Sequence, residues 1–171
     1  MKDLKHRQSR RLPKFDYTTP GAYFVTICTH EKESLFGEIV NNEVVLNEIG
    51  KIIVDEWKKT AVIRPYINLD EFVVMPDHFH AVIWITNFYR RGTARRAPTI
   101  ERFGQPIAGS IPTVIRAFKS AVTGRINIKD PLYGKIWQHN YYEHIIRNDS
   151  ELFRIRRYIL DNPKQWQIDR K

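Results

Sequence analysis

The motif His78-Phe79-His80, followed directly by the apolar run 81–85, constrains this chain more than any other feature of its sequence. Side chains along a β-strand point alternately to opposite faces, so the two imidazoles would stand side by side while Phe79 turns the other way. On a helix the two rings would diverge. The apolar residues beyond the histidines are typical of a strand buried on both sides. We therefore expect a strand whose two faces are both covered by other elements.

The same two histidines are a candidate metal site. A pair of imidazoles on rigid backbone can hold one divalent ion and leave positions open for a substrate. Such a pair needs a third ligand, and it needs a nucleophile before it can do chemistry. Histidines that only bond to neighbours or to water at a sheet surface would leave the same pattern, so other parts of the sequence must decide between the two interpretations.

The length of 171 residues predicts a single domain, 1–171, with enough apolar side chains for a core. Lysine and arginine number 28 against 19 acidic residues, and the resulting net charge of +9 favours a polyanionic partner, with nucleic acid first among the candidates. Basic residues cluster in an N-terminal arm, 1–19, and in a long loop, 87–109, that we expect to be mobile. These residues are Lys2, Lys5, Arg7, Arg10, Arg11 and Lys14 in the arm, and Arg90, Arg91, Arg95 and Arg96 in the loop. Either cluster could grip phosphates or could be a solvated tail.

Cys28 is the only cysteine, which excludes an internal disulfide and a cysteine-rich zinc site. This composition fits a reducing compartment best. The N-terminus has charges but no apolar segment as long as that of a signal peptide. No stretch of the sequence approaches the roughly 20 apolar residues that a membrane span requires. We therefore expect a cytoplasmic protein without a membrane partner.

The predicted elements alternate between strands and helices. Asn47, Ser110 and Asn148 are suitable helix caps, with Glu151 completing a capping box, and Pro163 is expected to end the last helix near Asn162. The elements are a central strand at 22–28, a peripheral hairpin of strands at 36–40 and 43–46, a helix at 47–60, strands at 66–74 and 78–85, a helix at 110–124, extended segments at 136–139 and 141–146, and a helix at 148–162. This order predicts an α+β fold, a ferredoxin-like antiparallel β-sheet with helices packed on it.

The last helix carries two side chains of chemical interest. Tyr158 and Asn162 lie four residues apart, together with Arg154, on a different face from the apolar stripe. If this helix lies across the sheet, the phenol and the amide could approach the two histidines. The apolar stripe itself consists of Leu152, Ile155 and Ile159.

Other side chains compete for these roles. Tyr141 and Tyr142 are alternative tyrosines, and they lie close in sequence to His139 and His144, which could be third ligands or phosphate contacts. Spacing alone does not choose among them. The helix at 110–124 also presents basic groups on the face opposite its apolar stripe, but any amphipathic helix has a charged outer face. The residues of that face are Arg116, Lys119 and Thr123.

Four segments together resemble a known family. They are the first strand, 21–26, the motif 75–80 with the apolar strand that follows it, the stretch 137–148, and the Tyr158 to Pro163 segment. In this combination the chain resembles the transposase family related to IS200, and more closely the REP-associated tyrosine transposases of the single-tyrosine HUH nuclease class. The likeness extends from Pro20 to Pro163.

The resemblance implies a metal-dependent enzyme that cuts and rejoins single-stranded DNA beside hairpins, as a monomer or a homodimer. It assigns Tyr158 as nucleophile, His78 and His80 as metal ligands, and Asn162 as third ligand, where related enzymes often place glutamine. It also implies magnesium or manganese as the cofactor. We expect manganese to support the higher activity, because imidazole suits a borderline metal better than a hard one. The candidate DNA contacts are Arg10, Arg11, Arg116, Lys119, His144 and Arg154.

The chemistry is consistent with these residues. A tyrosine hydroxyl has a pKa of about 10, so a metal ion and basic surroundings would have to favour the phenolate. Attack on a phosphate would release a 3′-hydroxyl and leave a 5′-phosphotyrosine link, which keeps the energy needed for rejoining. Two alternatives stay open: a noncatalytic nucleic-acid-binding module with exposed aromatic residues, and a nuclease that uses water instead of tyrosine.

Overall fold

A computed structural model of the chain describes residues 15–86 and 107–166. In chain order the elements are β1 (Gly21–Cys28), β2 (Gly37–Val40), β3 (Glu43–Leu46), α1 (Glu48–Ile63), β4 (Ile67–Val74), β5 (His78–Ile85), α2 (Ile111–Lys129), β6 (Tyr142–Ile146) and α3 (Asp149–Trp166). A short 3-10 turn follows β1.

The main sheet has four antiparallel strands in the order β4-β5-β1-β6. β1 pairs with β5 on one side and β6 on the other, which confirms that it is a central strand. β2 and β3 form a separate two-stranded sheet, so the predicted hairpin is peripheral. Thr26 of β1 lies opposite both His80 of β5 and Tyr142 of β6, and these three residues therefore form one row across the sheet.

Helices cover both faces of the sheet, as predicted. Phe79 packs with side chains of α1 and α2 in the larger core, whereas Val82 packs with Leu152 and Ile159 of α3 in a smaller one. Both Phe79 and Val82 are completely buried. The alternation of side chains along β5 thus separates two apolar layers, and the α+β class with an antiparallel sheet is confirmed.

The predicted caps and the predicted turn are present. The Asn47 side chain accepts hydrogen bonds from the backbone N–H groups of Ile49 and Gly50, at 2.9 and 3.0 Å, and α1 begins at the next residue. The turn residues Asn41 and Asn42 have φ angles of 51° and 64°, which is the left-handed conformation that a tight hairpin requires.

The segment 136–139 is not a regular strand, in contrast to our prediction. It forms a single bridge between Trp137 and Thr29. The Lys119 ammonium donates hydrogen bonds to the carbonyl oxygens of Gln138 and His139, at 2.6 and 3.2 Å. Beyond the bridge, these two carbonyl groups are therefore satisfied by a side chain of α2.

Two helices extend beyond their predicted ends. α2 passes through Gly124, since Ile126 is buried in the next turn and Arg125 pairs with Glu56 of α1 at 3.0 Å. α3 passes through Pro163 and continues to Trp166, whose ring packs on that of His78 with centroids 5.5 Å apart. Tertiary contacts therefore outweigh the local tendency of proline to end a helix.

The basic arm and the long loop fall largely outside the described residues, which begin at 15 and omit 87–106. Within the described end of the arm, Tyr17 is buried and its carbonyl oxygen accepts a hydrogen bond from the Ile111 N–H group at 3.2 Å. Tyr17 therefore belongs to the folded core, with Phe15 packed against it, at the end of the segment 1–19 that we predicted to be an arm.

Candidate active site

The two histidines of β5 face α3, and their ring centroids are 4.4 Å apart. The Nδ1 atom of His78 bonds to the Asp77 carboxylate at 2.5 Å, and the Nδ1 atom of His80 bonds to the Thr26 hydroxyl at 2.8 Å. Both partners orient the ring that they contact, and the Asp77 carboxylate, which accepts, also fixes the proton of His78 on Nδ1. With each Nδ1 occupied, the Nε2 atoms are the nitrogens that remain for a ligand.

His80 is almost completely buried, with an exposed fraction of 5%. Burial, aided by the neighbouring His78, lowers its pKa from 6.5 to about 3. The ring is therefore neutral at physiological pH, and a neutral imidazole is the form that binds a metal ion or accepts a hydrogen bond.

Tyr158 reaches the histidine pair from α3. Its hydroxyl lies 3.2 Å from Nε2 of His80, within hydrogen-bond distance. Phe24 supports both rings, because it stacks on His80 at 5.4 Å and meets Tyr158 edge-on at 6.1 Å. Tyr158 nevertheless stays 42% exposed. The phenol thus touches the buried imidazole while remaining accessible to a substrate.

Asn162 follows Tyr158 by one helical turn, on the same side of α3, and is 7% exposed. Its side-chain amide forms no hydrogen bond with any other residue in 15–86 or 107–166. In the same part of the chain, no group of three or more His, Cys, Asp or Glu side chains could hold a metal ion. A metal bound by His78 and His80 would therefore need an oxygen from outside those four residue types, and Asn162 has one.

The structure distinguishes the two competing tyrosines by position. Tyr142 lies on the α3 face of the sheet, 43% exposed, with its ring edge-on to Phe24 at 6.4 Å. Tyr141 instead donates a hydrogen bond to the Glu143 carboxylate at 2.6 Å and packs against the core beneath α1 and α2. Tyr142 therefore borders the candidate site, whereas Tyr141 faces the opposite side.

The candidate DNA contacts separate into two groups. Arg154 is exposed on α3, and His144 lies on the α3 face, where its Nε2 atom bonds to Glu151 at 2.7 Å. Arg116 and Lys119 belong to α2, which covers the other face of the sheet, so the fold does not bring them to the histidine pair. The remaining candidates, Arg10 and Arg11, lie outside the described residues.

Lys119 differs from our expectation of a solvent-facing cation. It is partly buried, and burial lowers the pKa of its ammonium group from 10.5 to about 8. Its two bonds to backbone carbonyls explain why it turns inward from the helix surface. The spacing of residues along α2 gives no sign of this, because the partners belong to a distant segment.

Sequence reasoning also missed several supporting residues. Asp77 is adjacent to His78 in the motif, but we had interpreted it only as part of a break between strands. Thr26 and Phe24 become visible only when the register of β1 against β5 is known. The alternation of side chains along β1 places these two on one face and was the only signal available.

None of the helices in the described ranges combines the length and the apolar character needed to cross a membrane.

Comparisons with known proteins give one relative and one solved structure of interest. An uncharacterised protein of Haemophilus influenzae is 36% identical over 169 residues, which cover 97% of this chain and 93% of the relative. The structure of a REP-associated tyrosine transposase bound to a REP hairpin superposes with a TM-score of 0.58 at 18% identity, covering 92% of this chain and 73% of that one. No family model matches the sequence. The chain therefore belongs to one family with the Haemophilus influenzae protein, and its fold is that of the REP-associated tyrosine transposase, as the sequence resemblance implied.

Proposed function

We propose that this protein is a transposase-like enzyme that cleaves and rejoins single-stranded DNA through Tyr158. The observation that carries the proposal is the contact between the accessible Tyr158 hydroxyl and Nε2 of the buried His80, at 3.2 Å. The contact orients the hydroxyl, and the half-exposed ring leaves a substrate access to Tyr158. A nucleophile needs this combination of orientation and access.

The reaction proceeds by substitution at phosphorus. The Tyr158 oxygen forms a bond to the scissile phosphorus, and the bond from phosphorus to the 3′-oxygen breaks. The phenol loses its proton and the departing 3′-oxygen gains one, so the products are a 3′-hydroxyl and a 5′-phosphotyrosine. Attack by another 3′-hydroxyl on this link reverses the same steps and rejoins the strand without a nucleotide cofactor.

The residues fit a divalent cofactor. His78 and His80 would hold it through their Nε2 atoms, because both Nδ1 atoms are hydrogen-bonded, to Asp77 and to Thr26, and Asn162 would supply an oxygen. At Nε2 of His80 the ion would take the place of the Tyr158 hydroxyl, because the single lone pair of this nitrogen cannot serve both. The low pKa of His80 keeps its ring available as a ligand at physiological pH. When bound, the ion would polarise the phosphate and favour the phenolate.

The DNA would cross the α3 side of the sheet. Tyr142 is exposed beside the site, where a base could stack on its ring, and Arg154 is an exposed cation on the same helix as the nucleophile. The net charge of +9 suits a polyanion. The REP-associated transposase of this fold was solved with a REP hairpin, and we propose a hairpin-bearing single strand as the substrate here as well.

The decisive experiment is detection of a covalent adduct. Wild-type protein, incubated with manganese and an end-labelled single strand that carries a hairpin, should give a protein–DNA band on a denaturing gel. Peptide mapping should locate the DNA on Tyr158. The Tyr158→Phe variant should bind the strand and form no adduct, whereas Tyr142→Phe, which keeps the aromatic ring, should still form it.

The same experiment separates the alternatives. Binding without any adduct in the wild-type protein would identify a noncatalytic module, and cleavage that survives Tyr158→Phe would identify a nuclease that uses water. Replacing manganese by magnesium should lower the rate of adduct formation, since imidazole ligands suit manganese better. A clearly higher rate with magnesium at saturation would contradict the proposed ligand set.

A further inference from the structure

An ion pair outside the candidate site ties α3 to the edge of the sheet. Arg156 donates two parallel hydrogen bonds to the carboxylate of Asp70 on β4, from Nε at 2.8 Å and from a terminal nitrogen at 2.6 Å. The indole N–H of Trp84 donates to the same carboxylate at 2.8 Å. Paired bonds of this kind fix both the distance and the relative orientation of the two groups.

The strand is distorted where it supplies this carboxylate. The register of β4 against β5 shifts between Leu69 and Phe72, and Asp70 lies within this bulge. Bulges redirect side chains and are frequent beside functional sites. The Glu71 N–H group donates a further hydrogen bond to Asp70, at 2.8 Å. Burial opposes ionisation of Asp70, but its hydrogen bonds, that from Arg156 first among them, outweigh burial and lower its pKa from 3.8 to about 2.

The apolar contacts of α3 alone are few. Leu152 and Ile159 are its buried apolar side chains, and Ile155 packs against them from a partly buried position. A helix that rests on so small an apolar cluster needs further contacts to keep it from rolling on the sheet. A roll of about 10° would move an atom at the outer radius of the helix by about 1 Å.

Arg156 is well placed to prevent this roll. It lies two residues before Tyr158, so that the two side chains leave the helix about 200° apart, on opposite flanks. Fixing one flank to the β4 edge therefore fixes the height of the other flank above the sheet. The contact between Tyr158 and His80, at 3.2 Å, has little tolerance for movement.

We propose that Asp70, Arg156 and Trp84 form a clamp that positions Tyr158 over the histidine pair. The clamp acts on the orientation of α3 and not on the reacting atoms, so these are positioning residues rather than catalytic ones. This inference rests on the proposed function of Tyr158 as nucleophile, but it concerns the orientation of α3 and has a test that is independent of catalysis.

The test compares two neighbouring arginines. Arg156→Lys keeps the positive charge but cannot make the paired hydrogen bonds. Arg157→Lys makes the same exchange at an exposed position beside it, where the only ion pair with another described residue is a 3.6 Å contact with Asp161. We expect Arg156→Lys to slow adduct formation at saturating DNA by about 100-fold, since a displacement of about 1 Å has this effect on catalysis. The dissociation constant for DNA should stay within a factor of about three. Arg157→Lys should match the wild type in both measurements.

Hydrogen exchange provides the second readout, without metal and without DNA. Arg156→Lys and Asp70→Asn should speed amide exchange in α3 and leave α1 and α2 unchanged. Equal rates of adduct formation in the two lysine variants, or unchanged exchange in α3, would overturn the clamp. If the wild type forms no adduct, the proposed function fails, and the exchange experiment still decides whether the clamp orders α3.

Discussion

The face of the sheet that carries α1 and α2 is sealed by large aromatic side chains, whereas the face under α3 is held by a small apolar cluster and by polar contacts. On the first face, the ring of Trp57 meets those of Phe79 and Phe118 at centroid distances of 4.9 and 5.2 Å. On the second, the completely buried apolar side chains are Val82 and Ile159. We therefore expect the first face to provide most of the stability, and the proposed chemistry lies on the second.

This division has a physical basis. A site that binds metal and DNA needs polar groups and access to solvent, and both reduce the apolar area that can be buried. The α3 face compensates with directed hydrogen bonds, such as those from Arg156 to Asp70 and between Thr26 and His80. Directed bonds fix orientation more than they add stability, because each replaces a bond to water.

The largest expected effect is on the aromatic face. Phe79→Ala should lower the free energy of unfolding by about 3–5 kcal/mol, because Phe79 is completely buried and its loss leaves a cavity between the sheet and two helices. Urea unfolding followed by circular dichroism measures this change. The rate of adduct formation per folded molecule should stay near that of the wild type.

A control on the other face sharpens this test. Phe24→Ala removes a ring that is 9% exposed and stacks on His80. We expect it to cost less stability than Phe79→Ala and to slow adduct formation more. The reverse ranking of the two variants would contradict the proposed division between the faces.

The second prediction concerns acid stability of the α3 face. The pKa of Asp70 is about 2 in the folded protein against an ordinary value of 3.8, so its carboxylate stabilises the fold above about pH 4. This contribution is lost as the pH falls towards 2. Because the Arg156 side chain is 42% exposed, solvent screens the pair, and Asp70→Asn should cost about 1–2 kcal/mol at pH 7.

Urea unfolding of the wild type and of Asp70→Asn between pH 7 and pH 2.5 measures this difference. The free energies of unfolding of the two proteins should converge as the pH falls below 4. Protonation of Asp70 in the wild type removes the same carboxylate charge that the substitution has already removed. Curves that stay parallel over this range would show that the Asp70 carboxylate contributes nothing to stability.

Local patterns in the sequence predicted most of the elements and the pairs of side chains that share a face, whereas the choice of Tyr158 over the other tyrosines came from the family resemblance. Alternation along β5 put His78 and His80 on one face, and helical spacing put Tyr158 and Asn162 together. Both patterns act over a few residues. The structure places the Tyr158 hydroxyl beside His80. From the sequence, this contact depended on the unknown position of the last helix relative to the sheet.

Features that depend on pairing between distant segments could not be predicted in this way. The hydrogen bond between Thr26 and His80 depends on the register of β1 against β5, and Asp70, which pairs with Arg156, lies in a bulge of β4. α3 continues past Pro163 to Trp166, which packs on His78. Rules for helix ends consider only neighbouring residues and cannot predict such a contact. These long-range contacts decide the detailed geometry of the site.

The third prediction asks whether DNA uses one face only. Arg154→Ala should weaken binding of a hairpin-bearing single strand by about 1 kcal/mol, roughly fivefold, and lower the slope of log affinity against log salt by about 1. Arg116→Ala removes the same charge from α2, on the other face, and should have less effect. Fluorescence anisotropy at several salt concentrations measures both. An equal loss of DNA affinity in the two variants would show that DNA also contacts the α2 face.

The smallest expected effect is a gain in stability on the α1 and α2 face. Gly124 lies inside α2 and is exposed, and a Cβ atom there would meet nothing within 4 Å. Gly124→Ala should therefore raise the free energy of unfolding by about 0.4–1 kcal/mol, because alanine loses less backbone entropy on folding.

Gly50→Ala in α1 is the contrasting variant, since its Cβ would collide with the Phe36 carbonyl oxygen, and it should destabilise the fold. Urea unfolding ranks the two variants, and adduct formation by Gly124→Ala should equal that of the wild type. A loss of activity in Gly124→Ala would show that the two faces are coupled through the sheet.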